Sequence, residues 1–164
     1  MAISFRRVTE KDLDRCYEIE TTSYAGDEAA SKKKILTRIK NYPEGFILVE
    51  NTREIIGFIN CGATFKVELS DEEFKELKGH NSAGPYVVIM SVVVHPDYQR
   101  KGYAGKLLSF FIDVMRKEDK TEIHLICQTE LIHMYSKYGF KNLGKSSSDH
   151  GGLSWNEMKL LLNA

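Results

Sequence analysis

The sequence predicts a single α/β domain built on a mixed sheet, and three observations carry that prediction. Short apolar strands are interspersed with amphipathic helical stretches along the chain. PYVVIMSVVV (Pro85 to Val94) is nearly all apolar and β-branched, the mark of a central strand buried on both faces. The stretch beyond it carries Leu107, Leu108, Phe111 and Met115 at helical spacing. The 164 residues suit one domain and hold no repeat, low-complexity stretch or Pro/Gly linker, so residues 1–164 read as one unit.

The elements follow in order. Ile3 to Val8 alternates and reads as a strand. Thr9 or Asp12 can cap the helix that follows, with Leu13, Cys16 and Tyr17 on one face. Asp27 to Ser31 reads as a loop. Ser31 starts a second helix bearing Ile35, Leu36 and Ile39, which Tyr42-Pro43 stops. FILVE (Phe46 to Glu50), the turn NTRE and the run from Ile55 to Phe65 make a hairpin. Ser70-x-x-Glu73 reads as a capping box, making DEEFKELK a short surface helix that ends near Gly79. Glu122 to Cys127 is a strand, and Thr129 is expected to cap a helix with Leu131, Ile132, Tyr135 and Tyr138. Two strands close the chain, near Phe140 to Lys145 and Leu153 to Leu162.

Bulk composition narrows the function classes. Lys plus Arg and Asp plus Glu number 23 each, which argues against a dedicated nucleic-acid-binding domain. Zero formal charge also removes one barrier to self-association, so a homodimer stays open. Cys16, Cys61 and Cys127 are odd in number and lack CxxC spacing, which suits reduced, packed thiols. The start turns charged almost at once, unlike a signal peptide, and no apolar run can span a bilayer. A soluble, cytoplasmic protein is the expectation. His124 and His133 lack partners at metal-ligand spacing, so no metal site is expected.

The segment that carries chemistry is QRKGYAGK (Gln99 to Lys106), set between the buried strand and the amphipathic helix. Such a loop presents free backbone N–H groups, and the helix dipole adds partial positive charge, a combination suited to a pyrophosphate. Gly102 and Gly105 allow close backbone approach, and Ala104 adds only a methyl. Neither the P-loop pattern nor GxGxxG occurs. On its own the segment fits equally a turn shaped by Gly102 with Arg100 and Lys101 in solvent.

Gln99-Arg100-Lys101-Gly102-Tyr103-Ala104 resembles the Q/R-x-x-G-x-G/A coenzyme A signature of GNAT acetyltransferases. EIHLICQTELIHMYSKYGF resembles the second half of that family's site, and the likeness extends over nearly the whole chain. VVVHPDYQRKG, CQTELIHMYSKYGF and GGLSWNEMKLLL fall in the order and spacing of the arylalkylamine N-acetyltransferase branch, and IETTSYAGDEAAS resembles its substrate-side segment. The resemblance implies a mostly antiparallel central sheet flanked by helices, acetyl-CoA as donor, and transfer of the acetyl group to an amine. It places the pyrophosphate on Arg100, Lys101, Gly102, Tyr103, Ala104 and Gly105. The pantetheine amides would pair with Val92, Val93 and Val94 as a peptide strand does.

An amine attacks a thioester only when neutral, so one proton must leave the ammonium and one must reach the departing thiolate. The resemblance gives the second task to Tyr135, whose reference pKa of about 10 lies near a thiol's value of about 8.5. Tyr138 is read as a packing aromatic, and His95 as structural at the strand end. The branch's two strand histidines, aligned through His95 and Gln99, fall on Val88 and Met90, neither of which accepts a proton. A base would then be Glu20, a water held by Ser91, or a water chain on backbone carbonyls. With the coenzyme side filled, Glu20 to Asp27, including Tyr24, and the insertion Val67 to Gly84 are expected to form the amine pocket, the insertion acting as a lid. A lid favours a small-molecule amine, such as an arylalkylamine or polyamine, over a protein N-terminus or lysine. A non-catalytic acyl-CoA-binding module is the third reading.

Overall fold

The computed structural model describes residues 2–24, 29–69, 72–148 and 150–162. Its strands are β1 (Ser4–Arg7), β2 (Phe46–Glu50), β3 (Ile55–Thr64), β4 (Tyr86–Val94), β5 (Glu122–Cys127), β6 (Lys141–Lys145) and β7 (Asn156–Leu161). Its helices are α1 (Leu13–Ser23), α2 (Lys32–Asn41), α3 (Tyr103–Lys117) and α4 (Ile132–Lys137). Among the described residues the strands form one seven-stranded sheet in the order β1-β2-β3-β4-β5-β7-β6. Every neighbouring pair is antiparallel except β4 and β5, which α3 joins as the crossover that parallel strands require. The mixed, mostly antiparallel sheet flanked by helices is the fold expected.

Helices cover both faces. On one, Leu107, Leu108, Phe111 and Met115 of α3 are fully buried against Ile47, Val49, Ile59 and Val87. On the other, Cys16 and Ile19 of α1 and Ile35 and Ile39 of α2 pack on Phe46, Leu48, Phe58 and Val93. FILVE thus divides its side chains between the two cores, which is why it reads as one apolar run. Truncating Phe111 to alanine would cost about 3–5 kcal/mol.

Local signals behave as physical chemistry asks, with three differences. Ser31 caps α2 by accepting from Lys34 N at 3.2 Å. Asp12 accepts from Thr9 N at 2.8 Å and from both terminal nitrogens of Arg6 at 2.9 Å, tying β1 to α1 through a short 3₁₀ turn at Glu10–Asp12. The first difference is that DEEFKELK forms a 3₁₀ segment, Glu72–Glu76, and not a surface α-helix. Phe74 and Leu77 turn inward over β3, where Gly62 leaves them room: a Cβ there would lie 2.7 Å from the Phe74 ring. The proposed cap at Ser70 and the side chain of Glu73 lie outside the described residues. The second is that Thr129 opens a 3₁₀ turn before α4, with Gln128 at the cap position, and its hydroxyl accepts from Asn156 Nδ2 at 3.2 Å. The third is that the final strand starts at Asn156, later than expected.

Candidate active site

The site begins where the sheet parts. β4 and β5 pair only at Tyr86–Glu122, Val87–Ile123 and Val88–His124. Beyond Val88, β4 stays on β3 as far as Val94, while β5 stays on β7 as far as Cys127. The β3–β4 ladder carries a bulge at this point: Cys61 faces Ile89 and Asn60 faces Ser91, so Met90 is the extra residue. A bulge bends its strand and re-aims its backbone groups.

The split opens a cavity of about 370 Å³. Val88 to Val92 form one wall and Leu125 to Gln128 the other, with Tyr135 beside them. Glu20, Ser23 and Tyr24 of the α1 end face it from one side, and Leu69 and Phe74 close over it. Glu20 and Tyr24, expected on the amine side, therefore meet the strand wall in one cavity. The described parts of the insertion border it as well. Residues 25–28, also assigned to the amine pocket, lie outside the described residues.

The free edge of β4 has a definite polarity. His95 N donates to Ile56 O at 2.9 Å, so residues alternating back from it turn their backbone groups toward β3. Val93, opposite Phe58, is therefore spent on β3, and its side chain is buried in the α1/α2 core. The pantetheine pairing expected of Val93 is corrected accordingly. Val92 and Val94 face the gap. Val92 O accepts from the Tyr24 hydroxyl at 3.1 Å, and Val94 O from the Ser23 hydroxyl at 3.2 Å and Gln99 Nε2 at 2.9 Å.

At the far end of β4, Arg100 and Gly102 adopt φ of 63° and 85°. Left-handed residues of this kind turn successive N–H groups into one concavity, a nest suited to an anion. From Arg100 to Gly105 no backbone N–H finds a protein acceptor among the described residues. Lys106 is the first to close onto the helix, donating to Gly102 O at 3.2 Å. A Cβ on Gly102 would meet nothing within 4 Å, so the approach to this loop is open. Gly105 serves a different contact: a Cβ there would collide with the Tyr138 hydroxyl, so this glycine lets the end of α4 seat on the start of α3. Tyr138 is a half-buried packing residue, as expected.

Tyr135 is 5% exposed and stands edge-on to Phe140, with ring centroids 5.7 Å apart. Burial pushes its phenol well above the usual tyrosine value. The hydroxyl has no hydrogen-bond partner among the described residues and lies at the cavity wall beside Cys127, a thiol that burial pushes up to about 11. Val88 and Met90 line the opposite wall, where the resemblance would put histidines. His95 caps the Pro96–Tyr98 turn, its Nδ1 accepting from Asp97 N at 3.1 Å.

A buried polar layer stands behind this wall, and of its members the sequence points only to Ser91. Arg38 of α2 is 2% exposed, Asn60 of β3 is fully buried, and Ser91 lines the cavity. The available signal was helical spacing, since Arg38 falls on the apolar face beside Ile35 and Ile39.

Residues 11–140 match the acetyltransferase (GNAT) family, and the chain belongs to it. The probable hydrolase YhcX of Bacillus subtilis is 23% identical over 144 residues, which cover 80% of this chain and 27% of that protein. An uncharacterized N-acetyltransferase of Staphylococcus epidermidis is 33% identical over 100 residues, covering 60% of this chain and 65% of that one. The matches thus span less than two thirds of either relative. Among solved structures, the loading GNATL domain of CurA from Lyngbya majuscula superposes with a TM-score of 0.86 at 16% identity, covering 99% of this chain and 98% of that one. The GphF GNAT-like decarboxylase in complex with isobutyryl-CoA gives 0.84 at 15%, covering 98% and 100%. yncA from Salmonella typhimurium, solved with its cofactor acetyl-CoA, gives 0.72 at 20%, covering 100% and 96%. At these identities the structures establish a shared fold.

Proposed function

We propose that this chain transfers an acetyl group from acetyl-CoA to the primary amine of a small molecule. One observation carries the reading: a parted edge of β4 leads on to a loop of unused N–H donors beyond its end, and Tyr135 stands at the gap. Arg100 to Gly105 would hold the pyrophosphate through their backbone, with the open face of Gly102 admitting it. The outward N–H groups of Val92 and Val94 would receive the pantetheine arm. Bound there, acetyl-CoA supplies an activated acyl carbon. Tyr135 would donate a hydrogen bond to the departing sulfur. The walls formed by Leu69, Phe74 and Tyr24 favour a small acceptor, since a polypeptide needs an open groove. Arylalkylamines and polyamines fall within that class, although Val88 and Met90 depart from the arylalkylamine pattern.

The test is thiol release from acetyl-CoA across a panel of primary amines. Amine-dependent release supports transfer. Tight acetyl-CoA binding with no release from any amine would leave an acyl-CoA-binding module. A second reading, acyl-CoA decarboxylation as named for GphF, draws support from the apolar Val88 and Met90 opposite Tyr135. It requires CO2 release from malonyl-CoA in the absence of any amine.

A further inference from the structure

The polar layer behind β4 holds donors that its acceptors do not use up. Arg38 is 2% exposed, yet no carboxylate lies within 4.0 Å of its guanidinium among the described residues. Its Nε donates to Lys75 O at 3.1 Å. Among the described residues its Nη1 reaches Asn60 Oδ1 and Ser91 Oγ, each at the long distance of 3.5 Å. A guanidinium carries five N–H donors, so the two on Nη2 are unspent among the described residues and the two on Nη1 are held only at long range. Burial lowers its pKa to about 10, with Glu20 pulling the other way, and it remains a cation at neutral pH. Asn60 adds a second anomaly: its Nδ2 is fully buried and has no hydrogen-bond partner among the described residues. Buried charges and amides are ordinarily matched. Both Arg38 and Asn60 adjoin Ser91, which lines the cavity.

We propose that Ser91, backed by Arg38 and Asn60, is a carboxylate subsite, and that the acceptor amine belongs to a molecule carrying a carboxylate, of the α-amino acid class. This deepens the transferase reading and rests on it. The acceptor is favoured over the donor as the source of the carboxylate because the subsite lies on the α1/α2 side. Arg38 belongs to α2, and Glu20 and Tyr24 of the α1 end line the same cavity. The carboxyl group of Glu20, whose Oε2 accepts from Ala30 N at 2.8 Å, lies on that wall as an acceptor for the ammonium. One side of the cavity thus brings Ser91, with Arg38 behind it, and Glu20 to a zwitterion. Ser91 Oγ would touch the carboxylate, while Arg38 and Asn60 act through it as positioning residues.

The experiment compares matched acceptors that differ only in the carboxylate: phenylalanine with phenethylamine and leucine with isoamylamine, followed by thiol release from acetyl-CoA. A charge-assisted hydrogen bond to a buried group predicts about a 10- to 100-fold advantage in kcat/KM for the amino acid. Phenylalanine amide is a stringent third arm, because its weakly basic amine is neutral more often at assay pH and favours the opposite result. Arg38→Met and Ser91→Ala should shrink the ratio toward one through the acceptor KM, with the acetyl-CoA KM unchanged. If Arg38→Met fails to fold, the wild-type ratio and Ser91→Ala still decide. Equal kcat/KM for the matched acceptors in an enzyme that turns both over would overturn the proposal. So would a tenfold preference for malonyl-CoA over acetyl-CoA, lost in Ser91→Ala, which would give the subsite to the donor. If no acceptor releases thiol, the transferase reading falls. Calorimetry of phenylalanine against the acetyl-CoA complex then tests the subsite alone, and no binding at millimolar concentration overturns it.

Discussion

Tyr135 shows how far a side chain's surroundings can move its chemistry. From reference values its proton and a thiol's are nearly balanced. In the fold, burial pushes the phenol up, so full transfer to a departing thiolate runs uphill. What the residue offers is a strong hydrogen bond to developing charge in an apolar wall. Tyr135→Phe should therefore lower kcat by on the order of 10²-fold, the low end for general acid catalysis. Its Tm should hardly change, since the ring keeps its contact with Phe140. Because the phenol stays protonated beyond its ordinary value of 10.0, the pH profile should rise as the amine is deprotonated and show no descending limb from Tyr135 below about pH 10. Wild-type kcat in the variant, measured where chemistry limits the rate, would remove Tyr135 from the mechanism. The family resemblance points to Tyr135, whereas no sequence motif points to Arg38. In KKKILTRIKN it is one cation among several, and charge-rich helices ordinarily face water. Its burial arises from Lys75 O and the strap above it, contacts that no local pattern encodes.

At the scale of elements, legibility followed burial. β4 and α3 announce themselves because each is apolar in the pattern its geometry requires. The Glu72–Glu76 strap reads as a surface helix because charge and a cap motif dominate its letters, while the room made by Gly62 lies elsewhere in the chain. The loop into α3 was legible as an anion site from its glycines, but their separate tasks were not. Gly102 holds a left-handed turn facing open space; Gly105 accommodates Tyr138. A side chain at Gly102 thus tests ligand approach only if it tolerates positive φ. Gly102→Val would add backbone strain, whereas asparagine adopts this conformation more readily. Gly102→Asn should weaken acetyl-CoA binding by about tenfold or more with Tm nearly preserved, read by calorimetry and thermal melting. Unchanged affinity in the folded variant would move the pyrophosphate elsewhere.

Across the whole molecule, acid should act in two stages. His80 accepts from Ala63 N at 2.9 Å through Nδ1, which must be unprotonated, and burial holds its pKa below 6.5. For His124, burial likewise outweighs the pull of Glu122, 2.8 Å away. The unfolded chain takes up these protons near pH 6.5, and the folded chain only at lower pH. The stability they contribute is complete above that value and drains away as the pH falls below it. Asp12 follows at lower pH. Burial would raise its pKa, but hydrogen bonds from Arg6 and Thr9 hold it below 3.8, so its contribution is whole above 3.8 and is lost as the pH falls from there through the depressed value. The urea midpoint should be lower at pH 5.5 than at pH 7.5, and the difference should shrink in His80→Gln. Equal midpoints in the wild type would contradict this account.

The parting of β4 from β5 also bears on time. Ser23 and Tyr24 bond the same outward edge of β4 that the pantetheine arm would follow, and the proposed acceptor wall stands over that edge. An amine seated first would obstruct the arm. Acetyl-CoA must then enter before the amine, and coenzyme A must leave last. In product-inhibition experiments coenzyme A should compete with acetyl-CoA but not with the amine. Parallel initial-rate lines, the mark of an acyl-enzyme that forms before the amine arrives, would break this order.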